Sequence, residues 1–118
     1  MIYRTDFLDG PMLDAAVAKA YNIQGHFDPS GEFYAERISG DLQSRYGYHP
    51  SRKWHYGSKI IEKYQVLFTM IHWNGERMYE ATAFFKNGKA FSIGRGKTHL
   101  IATMRAICNF KLGGEVEF

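Results

Sequence analysis

The stretch "GRGKTHLIATMRA" (Gly94–Ala106) holds the residues most suggestive of chemistry. Gly96-Lys97-Thr98 ahead of a helical pattern is how a phosphate-binding loop ends. Such a loop cradles phosphate oxygens with backbone N–H groups and reaches them with its lysine. It also needs a first glycine five positions before the second, and position 91 here is Phe91. Gly88 and Gly94 stand at the wrong distances. The strand ahead follows an Asn-Gly reversal, whereas a phosphate loop leaves a buried parallel strand. The residues are better explained by structure. Gly94 and Gly96 let the chain turn out of a last strand, Thr98 caps a helix, and Arg95 and Lys97 are solvated charges. A weak anion site at that helix N-terminus is the residual chemical reading.

Other reactive side chains form no constellation. His49 and His55 stand six residues apart in "YHPSRKWHY" with no acid between them, a poor metal spacing. His72 falls opposite Arg77 near a hairpin end, a surface position. The one cysteine, Cys108, lies on an apolar helical stripe and reads as a buried, inert thiol. Asp28, Glu32, Glu36 and Asp41 are near in sequence, yet nothing in their spacing forces convergence. No catalytic, cofactor-binding or metal residues are nominated, and an enzyme is not expected.

One basic stretch is interleaved with aromatics, "RYGYHPSRKWHYGSK" (Arg45–Lys59). Arg45, Arg52, Lys53 and Lys59 stand among Tyr46, Tyr48, Trp54 and Tyr56. Tyr, Trp and Arg dominate protein-binding hot spots. The same mixture holds single-stranded nucleic acid by stacking and charge. It also describes a structural loop roofing a sheet, so all three readings stand.

The chain has 118 residues with 45% hydrophobic and 16% aromatic content, enough for one packed domain over 1–118. Fifteen Lys and Arg against twelve Asp and Glu give a formal charge of +3, with signs dispersed as on an ordinary soluble surface. A lone cysteine excludes an internal disulfide. No apolar run approaches a membrane span, and "MIYRTDFLDG" lacks the pattern of a signal peptide. The expected location is the cytoplasm, with no membrane partner.

The elements follow from local patterns. "DGPMLDAAVAKAYN" predicts a helix over about 10–22, with Asp9 as cap, Pro11 early, and Leu13, Val17, Ala20 and Tyr21 on one face. Residues 22–50 contain the turn cluster "GHFDPSGEF" and read as loop with one short element at most. A short middle helix is predicted over about 52–64, opened by Ser51 or, since Gly57 weakens it, by Ser58. Next come β-rich runs around Asn74-Gly75 and Asn87-Gly88, a dipeptide favoured in hairpins because positive φ suits it. They predict a three-stranded antiparallel meander (about 65–73, 78–86 and 89–94). The register places Trp73 opposite Glu76, Met70 opposite Tyr79, Phe68 opposite Ala81, Val66 opposite Ala83, Phe85 opposite Ala90 and Phe84 opposite Phe91. Val66, Phe68, Met70, Tyr79, Ala81, Ala83 and Phe85 then face the helices. The other face, with Leu67, Thr69, Ile71, Trp73, Met78, Glu80, Thr82, Phe84, Phe91 and Ile93, is too apolar to be left wholly in water. Either more of the chain or another chain, such as a second copy in a homodimer, covers it. "THLIATMRAICNFKLGG" predicts a helix over about 98–112, closed by Gly113-Gly114. "EVEF" is a short strand or a fraying tail. The class is α+β.

Three segments resemble one family. "LDGPMLDAAVAKA", "YHPSRKWHYGSKIIEK" and "GKTHLIATMRAICNFKLGGEVEF" are similar, in the right order, to segments of the NinX-like small tailed-phage proteins. A looser likeness reaches phage proteins with an α-β-α sandwich domain. This chain departs in having Ser58 where the family tends to have Gly, and in a longer, more β-rich middle. The resemblance implies a phage or prophage origin and a bacterial host cytoplasm, and brings no reaction with it. Among the matching positions, Pro50, Ser51, Ile61, Thr98, Leu100 and Met104 are explained by capping and packing. Trp54, Glu62 and Arg105 are less so, and an ion pair between Glu62 and Arg105 is expected to join two helices. The functional expectation is an accessory protein that binds a host or phage protein without catalysis, for instance as a stoichiometric inhibitor of a host or defence protein. The alternative is a nucleic-acid-binding accessory protein using Arg45–Lys59.

Overall fold

The computed structural model describes residues 1–35 and 49–118, with the backbone alone for Ala35, His55 and Tyr56. Its strands are β1 (Ile2–Arg4), β2 (Gly25–Phe27), β3 (Phe33–Ala35), β4 (Leu67–Trp73), β5 (Glu76–Phe85), β6 (Ala90–Gly96) and β7 (Glu115–Glu117). Its helices are α1 (Gly10–Ala20), α2 (Trp54–Lys63) and α3 (His99–Leu112), with a 3-10 turn at Thr5–Phe7. The class is α+β, as expected.

β4, β5 and β6 form the antiparallel meander in the expected register: Trp73 opposite Glu76, Met70 opposite Tyr79, Phe68 opposite Ala81, Phe84 opposite Phe91 and Phe85 opposite Ala90. Asn74 and Gly75 both take positive φ, at 50° and 78°, as a two-residue hairpin turn requires. The second reversal spans Lys86–Lys89, with Lys86, Asn87 and Gly88 all at positive φ.

α3 lies chiefly across β6 and β5, and α1 packs on the far side of α3. One core therefore joins α1 to Met104 and Cys108 of α3, and a second joins Ala81, Ala83 and Phe85 to Ala102, Ala106 and Ile107. The small residues bring the helix backbone close to the sheet. Gly94 is the extreme case. A Cβ there would lie 2.9 Å from the Arg105 carbonyl carbon, and closer still to the Ala102 carbonyl oxygen and the Ala106 amide nitrogen. The glycines of the phosphate-loop lookalike are thus not a turn out of the strand. Gly94 and Gly96 lie within β6, buried under α3.

Helix ends follow the expected local chemistry at α3 and depart from it at α1 and α2. Thr98 Oγ1 accepts the Ile101 N–H at 3.1 Å, and Gly113 closes α3 at φ 73°. α1 stops at Ala20 rather than 22, because Asn22 takes φ 57°. Asp9 occupies the N-cap position but its side chain makes no cap bond; its charge instead favours that of Arg105. α2 opens at Lys53, ahead of Ser58, and Gly57 is accommodated inside it. A Cβ at Gly57 would stand 2.7 Å from the Pro50 carbonyl oxygen and closer to Leu100.

Two short pairings had no clear signal in the sequence. The turn cluster is the tip of a hairpin between β2 and β3, where Asp28 Oδ1 accepts the Ser30 and Glu32 N–H groups at 3.0 and 2.9 Å. "EVEF" contributes β7, which pairs antiparallel with β1, Ile2 facing Glu117. Among the described residues no helix is long and apolar enough to cross a membrane.

Candidate protein-binding surface

Antiparallel alternation sends every second side chain of the meander away from α3. Read across the sheet, these form rows: Phe84–Phe91, Leu67–Thr82–Ile93, Thr69–Glu80–Arg95, Ile71–Met78 and Trp73–Glu76. Leu67 is 63% exposed, Phe91 63%, Trp73 55% and Ile93 38%. Isolated exposed apolar side chains are normal. Here they form a stripe over three strands, interrupted by the polar row Thr69–Glu80–Arg95. Met70 departs from expectation: it lies on the helix-facing side yet is 51% exposed, because α3 lies mainly over the other two strands.

The stripe ends in an open cleft of about 540 Å³ between Phe7, Trp73, Met78, Ile93, Arg95 and Arg105. Arg95 is not merely a solvated charge. Its Nε donates to Glu80 Oε2 at 2.8 Å, and its guanidinium lies 5.7 Å from the Trp73 ring centroid. Cation and ring hold each other in place, so the indole is pre-positioned at modest entropic cost. Phe7, 77% exposed, forms the far wall. An apolar floor with a guanidinium and an indole at its rim can hold an apolar side chain and orient a polar neighbour.

The rim is built by α3. Arg105 Nε donates to the Leu8 carbonyl at 3.0 Å and its Nη1 to the Arg95 carbonyl at 2.7 Å. The expected Glu62–Arg105 ion pair is therefore not made: Arg105 turns to the start of the chain and the β6 edge, while Glu62 is exposed on α2. Asn109 works alongside, donating from Nδ2 to the Ile93 carbonyl at 3.0 Å and to Asp6 Oδ1 at 2.8 Å, while its Oδ1 accepts from Thr5 Oγ1 at 2.5 Å. Outward carbonyls of β6 are thereby occupied. Burial pulls Arg105 below its usual range, with Asp9 and Asp6 opposing.

The basic aromatic stretch is only partly described. Arg45, Tyr46 and Tyr48 lie outside the described residues, as does the Tyr56 side chain. Lys53 and Lys59 are exposed, and Trp54 is exposed beside the His99 ring. Arg52 is engaged elsewhere. Its Nε donates to Asp14 Oδ2 at 3.1 Å, its Nη2 binds Glu32, and the Ser51 N–H reaches Asp14 Oδ1 at 2.8 Å. His49 Nδ1 stands 3.3 Å from Glu32 Oε1. Asp14 is fully buried on α1, so this clasp ties α1, the β2–β3 hairpin and the approach to α2 together. Nothing in the spacing of these residues announced it. Of the four carboxylates expected in the uncertain region, Glu32 joins the clasp and Asp28 builds the hairpin tip; Glu36 and Asp41 lie outside the described residues. Cys108 is buried, and burial with the nearby Asp14 charge pushes its thiol up to about 12.

The clasp has opposed acid responses. Burial raises the Asp14 carboxyl above 3.8, whereas the Arg52 hydrogen bond lowers Glu32 below 4.5. The stability tied to Glu32 is present above pH 4.5 and lost as pH falls through its lower folded value. Asp14 moves oppositely, costing stability above its folded value and relieving that cost as pH falls. Glu32→Gln should therefore flatten the acid limb, read from urea midpoints between about pH 7 and about pH 3. Equal acid losses in both chains would remove Glu32 as the responsible group.

The phage family model described as "Bacteriophage P22, NinX" matches residues 5–110 of the chain. No curated protein sequence matches it.

Proposed function

We propose that the chain, which belongs to the Bacteriophage P22 NinX family, is a phage accessory protein that works by binding another protein across the open face of its meander. The observation that supports this reading most is the set of exposed apolar side chains on that face, Leu67, Trp73, Phe91 and Ile93. It leads into a cleft whose indole is held by Arg95. The mode is occupancy rather than turnover, as in stoichiometric inhibition of a host or defence protein. In the clasp, the groups with shifted titration are bonded to one another, and the thiol is buried.

The test is capture from phage-infected cells with nuclease present, comparing the parent with Trp73→Ala and Phe91→Ala. Hot-spot aromatics contribute about 2 kcal/mol, so each change should weaken a captured partner about thirtyfold. Both residues are largely exposed, so stability should move by no more than about 0.5 kcal/mol. Capture unchanged in both variants, or abolished by nuclease in the parent, would overturn the reading. The second outcome would favour nucleic acid bound through Lys53, Trp54 and Lys59.

A further inference from the structure

We infer that two copies of this chain pair through the outer edge of β4, making one continuous six-stranded sheet. The two edges of the meander differ. On β6, the carbonyls of Ile93 and Arg95 are taken by Asn109 and Arg105 of α3. Among the described residues β4 has a strand neighbour, β5, on one side only. Its sequence, Leu67-Phe-Thr-Met-Ile-His-Trp73, contains no Lys, Arg, Asp, Glu or Pro. Those are the residues by which edge strands ordinarily prevent pairing. α3 lies mainly over the other two strands, which leaves β4 exposed along most of its length.

The hairpin fixes which groups are free. The residues flanking a two-residue turn bond each other, so Trp73, Ile71, Thr69 and Leu67 spend their N–H and C=O groups on β5. Alternation leaves those of Phe68, Met70 and His72 pointing outward. A two-fold axis beside Met70 satisfies them with a second copy. Met70 then faces Met70 of the other copy and Phe68 faces His72, giving about six ladder hydrogen bonds. On the open face this register sets Leu67 against Trp73 and Thr69 against Ile71, both ways round. No charged residue meets its like. A strand that is its own antiparallel complement is what an isologous two-fold contact requires.

This goes beyond the partner reading above and does not depend on it, since the edge and the face are different groups. If both hold, the apolar rows of the two copies run together into one surface. A seven-residue edge spans about 24 Å, less than a large obligate interface, so the pairing should depend on concentration.

The test is sedimentation equilibrium of the full chain from about 5 μM to about 500 μM. The expected result is a monomer–dimer equilibrium. Met70→Lys sets two ammonium groups opposite each other, and Met70→Pro removes the outward N–H that pairs at the axis, a position where an edge strand tolerates proline. Each should weaken dimerisation at least about tenfold, while Phe91→Ala leaves it unchanged. Met70→Cys adds the probe of register: because Cys108 is buried, mild oxidation should cross-link the new thiols between copies. A monomer at every concentration, or a dimer that survives both Met70→Lys and Met70→Pro, overturns the inference. A monomer that instead holds a foreign strand, lost in Met70→Pro, overturns it in favour of a heterologous partner. Loss of dimer with retained partner capture, or the reverse, separates this inference from the proposed function.

Discussion

Gly94→Val should leave a chain that does not reach the native state. The β-carbon it adds would sit within van der Waals radii of three backbone atoms of α3: the Ala102 carbonyl oxygen, the Ala106 amide nitrogen and the Arg105 carbonyl carbon. None can swing aside as a side-chain tip can. Relief requires lifting α3 from β6, and α3 is the element shared by both cores. Ordinary overpacking costs about 1–3 kcal/mol. Displacing a helix that holds Met104, Ile107 and Cys108 forfeits burial as well, and a whole domain has only about 5–15 kcal/mol in reserve. Gly94→Ala should lose at least about 3 kcal/mol by urea unfolding, and Gly94→Val should be recovered unfolded or insoluble. The control is Gly88→Ala. Gly88 has φ 83° and nothing near its missing β-carbon, so it should cost about 1 kcal/mol. If Gly94→Ala proves as mild as Gly88→Ala, the close seat of helix on sheet is wrong.

Asp14→Ala should lose about 2–4 kcal/mol, the second largest effect. Removing the carboxylate strands the buried Ser51 N–H and takes from Arg52 the partner that anchors it inward. Arg52 keeps Glu32 and part of its solvent shell, which holds the loss below that of a fully sealed pair. Asp14→Asn retains an acceptor for Ser51 and should cost clearly less. Limited proteolysis supplies a local readout: the β2–β3 hairpin, tied to α1 through Glu32 and Arg52, should be cut earlier in Asp14→Ala. A loss under about 0.5 kcal/mol, with unaltered cleavage, would show that the clasp holds nothing.

These two sites also mark where sequence reading stopped. The meander was legible because its signals are local. Two Asn-Gly dipeptides fix the reversals, and period-two alternation then sets every pair, so the register followed residue by residue. Thr98 and Gly113 bounded α3 for the same reason. Gly94 and Gly96 were visible as unusual, but what required them is a helix backbone packed above the strand, which no local pattern encodes. The clasp joins Asp14 to Ser51, 37 positions away, through a backbone N–H that any residue except proline could offer. Arg105 resembled the partner of another helix because charge suggested Glu62. The carbonyls it binds, at Leu8 and Arg95, have no sequence signature. The apolar face was the most legible part of the candidate site. The cleft at its end was not, because Phe7 reaches it from a 3-10 turn that no periodicity predicts.

The pairing of β1 with β7 carries a mechanical consequence. Ile2 faces Glu117, and the amino terminus donates to the Phe118 carbonyl at 3.0 Å. Tension pulling these two ends apart would load the outermost rung first and the others only in turn. The strands would part like a zipper under small force, not shear together under a large one.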